Sequence, residues 1–168
     1  MVIVYRSNTG FTQEYAEMLS RAERMKLYES EDAKEKLGAD DEVFYMAPVM
    51  GGHITGVDKA RKRFKIKAVC GVGMSPAAPQ VLDTLARSNY LPDVTLFYLQ
   101  GGWKPQEVSW VKRQMMRMAT KSIREGLEAR GKYRNPAEEA YYRMLTTGGS
   151  FVAFQNLAPI QKWLRGQR

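Results

Sequence analysis

The sequence predicts an α/β fold in which a five-stranded parallel sheet carries helices on both faces, a three-layer sandwich. Three observations predict it. Continuous apolar, β-branched runs such as "VIVY" (2–5) and "IKAVCGVG" (66–73) have the signature of strands covered on both sides. Segments with helical apolar spacing lie between such runs. Strand and helix patterns alternate in this way up to residue 100, which implies right-handed crossovers and a parallel sheet.

Each element follows from its own pattern. After "VIVY", the positions Tyr15, Met18, Leu19 and Ala22 recur at i, i+3, i+4 and i+7, so a helix from Thr12 onward presents one apolar stripe. "MKLYE" (25–29) reads as a short second strand. "SEDAKEKLG" (30–38) reads as a short helix with Ser30 as its cap and Gly38 as its stop. "EVFYMAP" (42–48) is the third strand, followed by a glycine-rich loop and a basic turn or helix around 57–63. "IKAVCGVG" is the central strand. "APQVLDTLARSNY" (78–90) then places Val81, Leu82, Leu85 and Ala86 on one helical face, and "DVTLFYLQ" (93–100) is the fifth strand.

Beyond the fifth strand the pattern changes. Residues 105–130 read as one long helical stretch in which Val108, Val111, Met115, Met118 and Ser122 repeat at near-heptad spacing, with Met115, Met116 and Met118 read as core in preference to an adaptable contact surface. A second helical piece near 136–145 follows "GKYRNP", and Pro159 suits the first turn of a terminal helix in "LAPIQKWLRG" (157–166). A chain of 168 residues fits one compact domain, so 105–148 reads as a helical excursion within a single domain, 1–168.

Composition narrows the function classes. With 44 % hydrophobic and 26 % charged residues the chain is an ordinary globular one, and disordered and fibrous classes are excluded. No signal-peptide pattern opens it and no apolar run approaches membrane-spanning length, so we expect a soluble, unprocessed, cytoplasmic protein, with peripheral membrane contact left open. The single cysteine, Cys70, sits in an apolar run as a small buried thiol. The 26 Lys plus Arg against 18 Asp plus Glu give a net charge of +8, which implies attraction to something anionic. Two clusters carry much of the excess. One is Lys59, Arg61, Lys62, Arg63, Lys65 and Lys67; the other is 112–143, with nine Lys or Arg against four Glu. Either could dock an acidic redox partner or an anionic membrane surface, or be a solvated face. No nucleic-acid recognition motif accompanies them, so no nucleic acid is expected. No metal-ligand cluster or nucleophile elbow is visible, and "GVGMSP" (71–76) lacks the third glycine of a dinucleotide site.

The chemistry-bearing stretch is Ser7-Asn8-Thr9-Gly10-Phe11-Thr12, which joins the first strand to the first helix. A helix N-terminus offers unpaired backbone N–H groups and the positive end of the macrodipole, and is therefore ready for an anion. The three hydroxyls add donors, and Gly10 lets the backbone approach closely. No lysine lies in the loop, so it is not a Walker A loop. A phosphate would be held by neutral donors alone.

In that position the loop resembles the [ST]-x-T-G-x-T phosphate loop of flavodoxins. The whole chain is similar to the group of flavodoxin-domain proteins that includes the flavodoxin-like protoporphyrinogen oxidases. The resemblance implies a flavodoxin-like fold with strand order 2-1-3-4-5 and FMN across the carboxyl ends of the strands. By the same resemblance, Ser7, Asn8, Thr9, Gly10, Phe11 and Thr12 contact the phosphate. Pro48, Val49, Met50, Gly51, Gly52 and His53 border one side of the ring, and Gln100, Gly101, Gly102 and Trp103 the other. It implies an electron carrier or an FMN-dependent oxidoreductase of the protoporphyrinogen-oxidase type, working with a redox partner protein or a quinone- or porphyrinogen-type substrate. The other reading is a flavin-free binding or regulatory module that uses its basic surface. The chain departs from typical flavodoxins in lacking a Tyr or Trp at 47–56 and in its basic charge, which would favour an anionic reduced flavin and raise its potential.

Overall fold

A computed structural model of the protein describes residues 1–91 and 94–167. The chain forms two compact units, Met1–Gly101 with Val152–Arg168, and Gly102–Phe151. The first contains β1 (Val2–Tyr5), α1 (Phe11–Glu23), β2 (Leu27–Glu29), α2 (Ser30–Lys36), β3 (Glu42–Met50), β4 (His53–Ile54), α3 (Val57–Arg63), β5 (Lys65–Gly73), α4 (Pro79–Asn89) and β6 (Thr95–Gln100). The second contains β7 (Gly102–Trp103), α5 (Trp110–Ala119), α6 (Lys121–Arg130), α7 (Pro136–Thr147) and β8 (Gly149–Ser150). The chain then returns to the first unit as α8 (Ala158–Gly166). Asp93, the expected start of the fifth strand, lies outside the described residues.

The main sheet has the order β2-β1-β3-β5-β6, and its four pairings along that path are all parallel. The two-residue β4 joins β3 alone, antiparallel. Setting β4 aside, the order is the expected 2-1-3-4-5.

Alternation along the buried strands builds two cores, one on each face of the sheet. Ile3, Phe44, Met46, Ala68, Cys70 and Val72 pack with Tyr15, Ala16 and Leu19 of α1 and Ile160 and Leu164 of α8. Val4, Val43, Tyr45, Ala47 and Val69 face the other way, toward Ala33, Val57, Ala60 and Leu85 from α2, α3 and α4. Cys70 is fully buried, and burial pushes its thiol well above the ordinary range, so it packs as a small apolar residue.

Several expectations need correction. Ser30 is the first residue of α2 rather than its cap, because β2 runs through Glu29 straight into the helix. The helix ends at Lys36 because Leu37, its C-cap, is already extended, and the Gly38 N–H donates to Asp41 Oδ2 at 2.7 Å. On α1, Ala22 is exposed and Glu23 is buried. The Glu23 carboxylate faces α8, where Gln161 Nε2 donates to it at 3.0 Å and the Arg165 guanidinium lies 3.7 Å away.

The stretch 105–130 is not one helix. It breaks at Thr120, a buried residue whose hydroxyl donates back to the Met116 carbonyl at 2.8 Å while its backbone turns out of the helix. Nor are Met115 and Met118 core residues; both are exposed. Within this unit Leu127, Met144 and Leu145 are the buried apolar side chains instead. Asn135 and Glu138 close α7 with a reciprocal capping box.

Candidate functional site

Parallel strands end together, so their carboxyl ends gather the connecting loops. In an open α/β sheet, ligands bind at the crevice where strand order reverses. Here the reversal lies between β1 and β3, whose register runs from Val2 opposite Val43 to Tyr5 opposite Met46. The 6–10 segment leaves β1 at that point, tied down by the Arg6 N–H donating to the Met46 carbonyl at 2.9 Å.

The turn into α1 is set by Gly10, the N-cap, at φ 87°, a conformation that costs other residues a clash at Cβ. The Gly10 N–H donates to Ser7 Oγ at 3.1 Å, closing the loop on itself. One hydroxyl is thereby used locally. Neither Thr9 nor Thr12 engages its hydroxyl in a hydrogen bond among the described residues, although Thr12 is only 2 % exposed. A hydroxyl beside a helix N-terminus, with no partner among the described residues, is a donor available to an acceptor.

The second expected segment is a hairpin rather than a loop. Pro48, Val49 and Met50 end β3, Gly51 and Gly52 form the turn at φ 57° and 81°, and His53 opens β4 opposite Met50. Two successive residues with positive φ allow a tight two-residue turn, and two glycines supply it without strain. β1 has already ended beside Pro48, and there the Pro48 carbonyl accepts from the Thr55 N–H at 2.9 Å while the Thr55 carbonyl takes the Tyr45 hydroxyl, so no N–H is required of the proline. Asn8 Nδ2 lies 3.5 Å from Met50 Sδ, so this hairpin sits against the hydroxyl loop.

The third segment reaches the same end of the sheet. The Gln100 carbonyl accepts from the Tyr15 hydroxyl of α1 at 2.7 Å, and Gln100 Nε2 donates to the Met74 carbonyl at 3.1 Å. The Gly101 N–H donates to the Gly73 carbonyl at 2.7 Å. The structure therefore brings together Ser7–Thr12, Pro48–His53 and Gln100–Gly101. Gly102 and Trp103 belong to the second unit, in β7, where they pair with Ser150 and Gly149 of β8.

Three supporting residues escaped the sequence reading. Asn89, buried at the end of α4, accepts from the Ile54 N–H at 2.8 Å and donates to the Gly52 carbonyl at 3.1 Å, fixing the hairpin from behind. Tyr45 donates to the Thr55 carbonyl at 2.9 Å, at the exit of the same hairpin. Tyr15 also accepts from Asn156 Nδ2 at 2.7 Å, tying α1 to the returning chain. A polar residue on an otherwise apolar helical face was the visible signal for Asn89, and the apolar patterns hid the two tyrosines.

Burial pushes the Tyr45 phenol up to about 12. Its unfolded counterpart ionises near 10.0, so the unfolded chain loses its proton first as pH rises. The stabilisation from Tyr45 is complete below pH 10.0 and is lost as pH rises through about 12. The difference in melting temperature between the parent and Tyr45→Phe is expected to shrink across that window; an undiminished difference at its upper end contradicts the assignment.

The first basic cluster runs along α3 to the amino end of β5 and is partly occupied. Lys65 and Lys67 lie 3.0 and 3.9 Å from Glu42, and Arg61 donates to the Tyr90 carbonyl at 2.7 Å. A surface depression lined by Met1, Glu42, Lys67 and Leu164 is also at the amino ends of the strands, away from the hydroxyl loop.

A doubly wound parallel sheet with a lysine-free hydroxyl loop at its switch point defines the class, a three-layer α/β protein. Residues 2–127 match the profile of the flavodoxin domain family, and the chain belongs to that family. A solved structure described as a flavodoxin from the domain Archaea is similar over 68 % of this chain and 88 % of that one, at 14 % identity and a TM-score of 0.37. No curated protein matches the sequence.

Proposed function

We propose that the protein is an FMN-binding redox protein. The observation that carries this reading is the hydroxyl of Thr12, which has no partner among the described residues and stands at an N-terminus whose cap is glycine. Capping does not use that hydroxyl, and the donor set around it is neutral, compact and suited to one terminal phosphate. The backbone N–H groups at the start of α1, with Thr9 and Thr12, hold the phosphate; Ser7 keeps the loop closed. The Pro48–His53 hairpin and Gln100–Gly101 border the ring. FMN, when bound, supplies the electron chemistry, and the protein supplies binding, orientation and electrostatics.

Neither ring-side segment contains an Asp, Glu, Lys or Arg. Met50 is 53 % exposed at the tip of the hairpin and offers an adaptable apolar surface to a planar ring. With no carboxylate in either segment to repel it, negative charge on a reduced ring is less disfavoured than in an acidic surround.

Equilibrium binding of FMN and of riboflavin tests the assignment, since the two ligands differ only in the phosphate. The Thr9→Val, Thr12→Val double variant is expected to bind FMN about 100-fold more weakly, two hydrogen bonds to a charged group being lost. Its affinity for riboflavin should change by no more than about threefold. Equal losses for both ligands would exclude the phosphate assignment. A protein that takes up neither ligand would support a flavin-free binding module instead. With FMN loaded, turnover of porphyrinogen or quinone substrates distinguishes an oxidoreductase from an electron carrier.

A further inference from the structure

The second unit carries an amphipathic helix whose polarity is turned inside out. Val111, Met115 and Met118 occupy positions i, i+4 and i+7 of α5, one face of the helix, and are 58, 60 and 72 % exposed. Trp110, at the start of the same helix, is 68 % exposed. Arg113 is turned inward, with its Nε buried and one terminal nitrogen 3.4 Å from the Val108 carbonyl. A helix that exposes its apolar side chains and half-buries an arginine presents that face to something other than water.

The charge pattern identifies what covers it. Between Glu107 and Glu125 there are five basic residues, Lys112, Arg113, Arg117, Lys121 and Arg124, and no acidic one. At about 100° per residue, Lys112 lies about 60° beyond Met115 on one side of the apolar face and Arg117 about 100° beyond Met118 on the other, with Gln114 between. Neither takes part in an ion pair among the described residues, where the nearest pairs are Lys104 with Glu107 and Lys121 with Glu125. An apolar strip bordered on both sides by cations is complementary to a surface whose interior is hydrocarbon and whose edge is anionic. Trp belongs at such a boundary, and unbranched Met adapts to a fluid one. No helix among the described residues is long and apolar enough to cross a membrane, so α5 would lie in the interface rather than span it.

We propose that α5 docks the protein in the plane of an anionic phospholipid bilayer, with Val111, Met115 and Met118 in the acyl region and Lys112 and Arg117 at the headgroups. This surface is independent of the flavin assignment, and its test uses no flavin readout.

Sedimentation of the full-length protein with vesicles of phosphatidylcholine alone, or of phosphatidylcholine mixed with phosphatidylglycerol, measures the docking. The anionic vesicles are expected to bind at least about tenfold more tightly, each basic residue near the surface contributing roughly fivefold. Val111→Ser, Met115→Ser, Met118→Ser should sediment no more with anionic than with zwitterionic vesicles, and Lys112→Glu, Arg117→Glu should do the same. All these positions are exposed, so circular dichroism of the variants should match that of the parent. Peroxide should oxidise Met115 and Met118 readily in the free protein and slowly on anionic vesicles. Equal binding of the parent to both vesicle types overturns the proposal. So does a triple serine variant that binds like the parent. A parent dimer that the serine substitutions dissociate also overturns it, by showing that a second copy covers the face.

Discussion

Asn89→Ala is expected to lower stability by about 3 kcal/mol and to loosen the Gly51–Gly52 hairpin before the rest of the sheet. The reason lies in the alternation of an antiparallel pair. Successive N–H groups point toward the partner strand and away from it in turn. The Thr55 N–H points toward β3 and donates to the Pro48 carbonyl at 2.9 Å, so the Ile54 N–H, one residue earlier, points away. Asn89 Oδ1 meets it at 2.8 Å, while Nδ2 serves the Gly52 and Leu85 carbonyls at 3.1 and 2.8 Å. Truncation leaves a buried donor of β4 and the turn carbonyl unpaired, with no room for the sheet to compensate. Urea unfolding should show the loss as a lower midpoint at unchanged slope. Amide exchange at Ile54 should quicken more than at Val69, in the sheet centre. Equal acceleration at both amides would mean that Asn89 supports the whole sheet rather than the hairpin.

Gly101→Val should cost about 3 kcal/mol and also disturb the phosphate loop. Gly101 is buried where β6 ends, and a Cβ there would lie 2.9 Å from Val72 Cγ1 and 3.3 Å from Phe11 Cβ. Val72 can rotate, but Phe11 Cβ is fixed to the backbone of the first turn of α1. The added volume therefore pushes on the helix end whose N–H groups face the proposed phosphate. In a sample held well below its melting temperature, FMN binding should weaken more than riboflavin binding. Gly101→Ala should show a smaller effect in the same direction. A Gly101→Val protein with unchanged stability would show that α1 yields freely at that point.

Most of the fold was legible because parallel strands buried on both faces declare themselves. "VIVY" and "IKAVCGVG" have no polar alternation to confuse them, and β1 and β5 begin and end within one residue of the expected limits. The family and the strand order followed from the loop "SNTGFT" at the end of the first strand. The elements that went astray were those decided by tertiary context. Ala22 and Glu23 exchanged burial because α8, more than a hundred residues later, offers Gln161 and Arg165 to the carboxylate. Residues 105–130 carried a regular apolar repeat, and periodicity cannot distinguish a stripe facing a core from one facing outward. Nor does it see a break such as Thr120, which depends on one hydroxyl returning to its own helix. At the candidate site, the hydroxyl loop could be read from residue types, whereas the 47–56 segment was read as a loop because its glycines mask a two-residue turn. Asn89 showed only as a polar interruption of an apolar helical face, because its role is defined by the backbone it meets thirty-five residues away.

The β7–β8 pair has a consequence for how the chain could be rebuilt. Gly102 lies opposite Ser150, so the strand that leaves the main sheet and the strand that returns to it run side by side, only a strand spacing of about 5 Å apart. The intervening segment is thus topologically a single closed loop with both ends at one point. Joining Gly101 to Val152 through a short turn would delete Gly102–Phe151 while keeping all six strands of the main sheet and α8 in the chain. The same neighbouring ends make the segment a transferable cassette, one that another scaffold could accept between two adjacent strand ends without a long connecting linker.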